Sequence, residues 1–171
     1  MIIRVGEYRD IVAIMDIFKK AIADMDAKGI NQWDDIYPSE DVLLNDIRQN
    51  NIIVSVNAMN TIQGVIVLDE HQDIAYEDIK WKYNLGKQLI IHRLCIHPNF
   101  QGEGIARMLI KYAECIGIEQ KYKSIRLDAF IPNIRACRMY EQLGYHKRGI
   151  VTFRKGAFYC YEKGLFKELR R

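Results

Sequence analysis

The stretch Leu94-Cys95-Ile96-His97-Pro98-Asn99-Phe100-Gln101-Gly102-Glu103-Gly104-Ile105-Ala106 constrains this chain more than any other. An apolar, β-rich run passes through a short loop with two glycines into a helical period marked by Ile105, Met108, Leu109, Tyr112 and Ile116, whose spacing turns them toward the core. The start of a helix carries unpaired backbone N–H groups and a partial positive charge of about +0.5. A junction of this kind therefore suits a phosphate. Glycine admits the close backbone approach that a Cβ would block. The segment predicts an anion cradle at a strand–helix junction.

Two commoner phosphate loops do not fit. No Lys-Ser or Lys-Thr follows Gly104, so a P-loop gripping a nucleotide triphosphate and magnesium has no support. Gly102-Glu103-Gly104 followed by Ala106 falls short of the dinucleotide fingerprint, and the chain does not open with a βαβ unit.

The rest of the chain reads as one α+β domain over residues 1–171. Met1 to Val5 is a strand, and Ile11, Ile14, Met15, Phe18, Ile22 and Met25 mark one face of a long helix that ends at Lys28-Gly29. A loop from Asn31 to Pro38 follows, and Ser39 caps a second helix reaching about Gln49. Ile52 to Val56 and Ile62 to Leu68 form a hairpin across Asn57-Ala58-Met59-Asn60. Asp69 to Lys87 is polar and irregular, yet it carries Tyr76, Trp81 and Tyr83, which argue for an ordered, functional loop. Gln88 to Ile96 and Ser124 to Phe130 are strands flanking the cradle helix, a connection that implies parallel pairing. Asn133 caps a short helix with Ala136, Met139, Tyr140 and Leu143 on one side and Gly144 at its end. Tyr145 to Phe153 and Phe158 to Lys163 are the closing strands.

A chain of 171 residues with 49% apolar residues can bury a substantial core. A net charge of +3 without a Lys/Arg block points to no nucleic acid and no membrane surface. No apolar run approaches the ~20 residues of a membrane helix. Met1-Ile2-Ile3-Arg4 lacks signal-peptide anatomy, which predicts a cytoplasmic location. Cys95, Cys115, Cys137 and Cys160 form no CxxC pair and no Cys/His ligand spacing, so neither a metal nor a disulfide framework is expected, and most read as small buried thiols.

Gln101-Gly102-Glu103-Gly104-Ile105-Ala106 resembles the acyl-CoA signature of the GNAT (GCN5-related) N-acetyltransferases. Leu94-Cys95-Ile96-His97-Pro98 resembles the strand end that precedes it in that family. Asn133-x-x-Ala136-x-x-x-Tyr140 and Leu143-Gly144-Tyr145 resemble two motifs that follow. The order of elements is similar across essentially the whole chain. The resemblance implies a mixed six- to seven-stranded central sheet, flanked by about four helices, in which the strands on either side of the signature helix splay.

That resemblance implies acetyl-CoA as the acyl donor and coenzyme A as product. Gln101, Gly102, Glu103, Gly104, Ile105 and Ala106 would hold the pyrophosphate. Main-chain groups of Leu94, Cys95 and Ile96 would pair with pantetheine like an added strand, while the side chains pack a core. Asn133 divides between capping its helix and touching the coenzyme. Tyr140 matches the family's proton donor to the departing thiolate. A phenol near 10 donating to a thiol near 8.5 is uphill by about 2 kcal/mol, which favours a hydrogen-bond donor over a full proton donor. His92 is the leading base, with Glu70, Glu77 and Asp128 as alternatives, and His97 reads as a loop residue. Trp33, Tyr76, Trp81 and Asp128 would line the acceptor site, where aromatic faces and carboxylates suit a cationic amine. With Trp33, Asp34 and Asp35 fall on the loop that commonly walls it.

The reading is an N-acetyltransferase moving acetyl to a primary amine of a small molecule or peptide by direct transfer in a ternary complex. The alternatives are a non-catalytic acyl-CoA sensor or partner-binding domain, and an O- or longer-chain acyltransferase. The fold allows a homodimer, although no residue demands one.

Overall fold

The computed structural model describes residues 1–166. The expected domain over 1–171 thus includes five terminal residues that lie outside the described ones. Seven strands form one mixed sheet in the order β1-β2-β3-β4-β5-β7-β6. The described residues gather into two compact units, one of Met1–Leu68 with His92–Ile110, the other of Asp69–Ile91 with residues 111–166.

In the first unit, β1 (Ile2–Val5), β2 (Ile52–Val56) and β3 (Ile62–Asp69) pair antiparallel. Their alternate residues Ile52, Val54, Val56, Val65 and Val67 face Ile14, Ile17, Phe18 and Ala21 of α1 (Ile11–Ala27) and Leu43 and Ile47 of α2 (Glu40–Arg48). Each Val, Ile, Leu or Phe among them contributes about 1.5–3 kcal/mol on burial. Local chemistry starts the second helix where the sequence predicts it: Ser39 Oγ accepts from Val42 N at 3.4 Å. Arg4 and Asp10 lock the entry to α1, with Nη1 donating to Oδ2 at 2.7 Å and Nη2 to Oδ1 at 2.9 Å.

In the second unit, Gln88 to Ile91 of β4 (Gln88–Ile96) run parallel to β5 (Ser124–Phe130), from Gln88↔Ser124 to Ile91↔Leu127. β5 pairs antiparallel with β7 (Gly156–Gly164), and β7 with β6 (His146–Phe153). α4 (Ile134–Gln142) brings Tyr140 between Tyr145 and Tyr161, both ring centroids 5.9 Å away.

Two expectations are adjusted. The polar connector between β3 and β4 holds a 3-10 helix over Ile74–Asp78, because Asp73 Oδ1 caps it by accepting from Ala75 N at 2.9 Å. In α3 (Ile105–Glu119) the fully buried positions are Ile105, Leu109, Ile110, Ala113 and Gly117, while Met108, Tyr112 and Ile116 are half-buried. A wide apolar stripe centred on the i, i+4 row explains the offset. Of the four thiols, Cys95, Cys137 and Cys160 are buried and Cys115 is exposed. Among the described residues, no helix is long and apolar enough to cross a membrane.

Candidate functional site

The glycine loop is built by a sequence of local decisions. Pro98 opens a 3-10 turn over Pro98–Phe100, capped by His97, whose Nδ1 accepts from Asn99 N at 3.1 Å. His97 N donates to Gln63 O at 2.9 Å, so the end of β4 is tied to β3. Gly64 makes room there: a Cβ on it would stand 2.5 Å from Ile96 Cδ1 and 3.3 Å from Ile105 Cγ2. Gly102 and Gly104 then adopt φ of +90° and +81°, conformations that L side chains avoid. No atom lies within 4 Å of where their Cβ atoms would be, so the loop faces open space.

The carbonyl of Gly104 accepts from Met108 N at 3.1 Å and opens the ladder of α3. The first N–H groups of that helix have no partner inside it and carry its positive end. Gln101 is anchored by Nε2 donating to Asp24 Oδ2 at 3.4 Å. Gln101 through Ala106 thus form a tight turn, with positive φ at Gly102 and Gly104, that leads into the start of α3.

Leu94 and Ile96 are half-buried, whereas Cys95 lies in the core with α1 and α2, where burial pushes its thiol far up. The Cys95 side chain is therefore closed to a ligand. His92 is half-buried on the same strand. Trp33 packs edge-on against Phe18, with centroids 5.3 Å apart.

The second unit collects Tyr76, Trp81, Asp128 and Tyr140. The Tyr76 hydroxyl donates to Asp128 Oδ2 at 2.7 Å. Trp81 Nε1 donates to Tyr76 O at 2.9 Å, and Arg126 covers the indole with its guanidinium carbon 4.3 Å from the ring centroid. Trp81, only 8% exposed, is therefore a strut beneath Tyr76. Burial pushes the Tyr140 phenol well up, and the charges of Asp128 and Cys137 add to the rise. The Cys160 thiol is raised to about 12 by burial, reinforced by Asp128. Asn133 caps α4, its Oδ1 accepting from Ala136 N at 3.2 Å.

The family model for the acetyltransferase (GNAT) family matches residues 16–145. The chain belongs to the GNAT acetyltransferase family. Solved structures share the fold of this GNAT protein over almost its whole length. A candidate acetyltransferase from Staphylococcus aureus Mu50 is 26% identical, with 97% of this chain and 100% of that chain covered and a TM-score of 0.77. A GNAT acetyltransferase from Streptococcus agalactiae is 23% identical over 97% and 96% of the chains, TM-score 0.83. The PaiA N-acetyltransferase from Thermoplasma acidophilum, solved with coenzyme A, is 20% identical over 95% and 98%, TM-score 0.71. No curated protein sequence matches.

Two buried ion pairs of this GNAT chain escape a reading of motifs. Arg93 on β4 pairs with Asp46 of α2 and donates to the Tyr37 hydroxyl at 2.9 Å. Arg126 on β5 pairs with Glu162 of β7 at 3.2 Å. The available signal is a lone charge in an apolar strand or at a core position of a helix: Arg93 among Ile90, Ile91, Leu94 and Cys95, and Asp46 between Leu43 and Ile47. That signal marks a buried charge without naming its partner.

Proposed function

We propose that this chain is an acetyl-CoA-dependent N-acetyltransferase that moves an acetyl group to a primary amine of a small molecule or peptide, by direct transfer in a ternary complex. The observation that carries the reading is the cradle of Gly102 and Gly104 at the start of α3, with left-handed backbone and open space where side chains would stand. The coenzyme A bound to the Thermoplasma acidophilum relative supports the ligand class. Bound acetyl-CoA supplies an activated thioester whose leaving group is a thiolate.

The roles of the chain's own residues follow from their chemistry. Backbone N–H groups from Gly102 to Ala106 hold the pyrophosphate, with the helix start supplying positive potential, while Gln101 N donates to Pro98 O at 3.2 Å and fixes the turn before them. Main-chain groups of Leu94, Cys95 and Ile96 hold the pantetheine amides, and Asn133 adds a polar contact alongside its cap. Tyr140 Oη keeps its proton, since burial and Asp128 both oppose ionisation. Its role is to offer that proton as a hydrogen bond to developing negative charge, a contribution of roughly 10²–10³ in rate. His92 takes the amine proton at a ring nitrogen, directly or through water. Tyr76 and Asp128 receive the amine, with Trp81 holding Tyr76 in place.

The test is incubation with acetyl-CoA and a panel of polyamines, arylalkylamines, aminoglycosides, amino acids and peptides, read by mass spectrometry. A labelled acceptor with wild-type chain and strongly reduced labelling with Tyr140→Phe is the expected result. Equal labelling by Tyr140→Phe removes Tyr140 from the chemistry. Coenzyme binding without any acetylated product supports a sensor instead.

A further inference from the structure

Glu162 sits within β7 with none of its surface exposed. A carboxylate there is costly unless it is paired and fully hydrogen-bonded. Its Oε2 accepts from Lys82 N at 2.8 Å and Arg148 Nε at 3.2 Å. Its Oε1 accepts from Tyr83 N at 3.3 Å and from Ser124 Oγ and Arg126 Nε, both at 3.2 Å. Two of these donors are backbone amides of the segment that leads from the 3-10 helix into β4. Arg126 holds the same segment from its other side, donating to Tyr83 O at 2.7 Å and stacking on Trp81.

The chain of contacts continues to a functional carboxylate. Trp81 Nε1 donates to Tyr76 O, with the two rings 5.1 Å apart, and the Tyr76 hydroxyl donates to Asp128. An apolar anchor would hold this segment at a lower desolvation cost. A buried carboxylate with five directed donors instead fixes where the backbone of Lys82 and Tyr83 lies, and with it the planes of Trp81 and Tyr76.

We propose that Glu162 and Arg126 are positioning residues which, through Trp81 and Tyr76, aim the Asp128 carboxylate at a cationic acceptor amine. The amine half of this statement rests on the acetyltransferase reading above. The route from Glu162 to Asp128 rests on the hydrogen bonds alone.

The test uses the full chain labelled with [13C]aspartate and 15N, saturated with coenzyme A. The Asp128 carboxyl resonance is assigned with Asp128→Asn, and the Trp81 indole peak is one of only two in the chain. Arg126→Lys and Glu162→Gln should shift the Asp128 resonance in the direction that Tyr76→Phe shifts it, and add nothing in a Tyr76→Phe background. If Glu162→Gln does not fold, Arg126→Lys and Trp81→Phe carry the same comparison. An Asp128 resonance that stays in place while the Trp81 peak moves overturns the proposal, as does a shift that adds in full to that of Tyr76→Phe.

Titration with phenethylamine and 1,4-diaminobutane reads the second half. Their Kd should rise about tenfold in Arg126→Lys with coenzyme affinity unchanged. Failure of both amines to bind the wild-type chain overturns the assignment to a cationic amine. Lack of turnover with any acceptor, by contrast, falls on the acetyltransferase reading and leaves the Asp128 shifts to decide the positioning route.

Discussion

Gly104 O accepts from Met108 N at 3.1 Å, so the hydrogen-bond ladder of α3 begins at a residue whose φ is +81°. One glycine therefore both caps the helix and turns the loop that exposes its first amides. Gly104→Ala keeps the space, because nothing lies within 4 Å of the new Cβ, but places it in a left-handed conformation. The expected cost is about 1–2 kcal/mol of stability, with coenzyme A affinity falling at least tenfold as the amides are redirected. Thermal melts and calorimetric titration with coenzyme A read the two effects. Undiminished affinity would remove the loop from the cradle.

Tyr140→Phe should lower turnover by roughly 10²-fold while leaving the Kd for coenzyme A within twofold. The phenol lies buried on α4, and burial, Asp128 and Cys137 all hold its proton on. The pH–rate profile of the wild-type chain should therefore show no alkaline limb belonging to Tyr140 below pH 10. A steady-state profile measured in both proteins checks this, since a limb present in wild type and lost in Tyr140→Phe would assign ionisation to this residue.

Asn133 caps α4, and substitution can separate that role from the proposed coenzyme contact. Its Oδ1 accepts from Ala136 N, a cap worth about 1 kcal/mol. Asn133→Ala should lose that stability, and Asn133→Asp should restore it. If Asn133 also touches the coenzyme, Asn133→Asp regains the melting temperature without regaining coenzyme affinity. Recovery of both by Asn133→Asp would leave capping as the whole role.

The pair Arg4–Asp10 predicts an acid-dependent stability. The Arg4 hydrogen bonds hold the Asp10 carboxyl below its usual range, against the opposing effect of burial, and the Glu7 N–H assists. A folded-state pKa below the unfolded value means that the unfolded chain binds more protons in the window between them. The stabilisation is thus complete above about pH 4, the unfolded value, and is lost as pH falls through the folded value. Asp10→Asn should be less stable at pH 7 by about 1–3 kcal/mol, with the gap closing below about pH 4. Denaturant melts from pH 3 to pH 7 measure it, and a constant gap would show that packing, not charge, holds Asp10.

Where an element depends on neighbouring residues, the sequence already specifies it. The strands Gln88–Ile96 and Ser124–Phe130 and the caps at Ser39 and Asn133 follow from β-rich runs and from side chains that bond the backbone a few residues away. The glycine loop belongs to the same class, because φ of +90° and +81° at Gly102 and Gly104 are conformational preferences of single residues. Trp81 shows the limit of such a reading. Its composition suits an amine-binding face, yet Arg126, 45 positions along the chain by residue number, occupies that face.

The sequence by itself determined the elements, the glycine turn before α3 and the family, because propensity, capping and glycine conformation act within a few residues. Only the tertiary structure decided that Arg93 meets Asp46, that Arg126 meets Glu162, and that Tyr76 meets Asp128, across 47, 36 and 52 residues. Those pairings depend on distance and desolvation in space, where the strength of a charge or hydrogen bond changes several-fold with burial, and no local pattern in the chain encodes them.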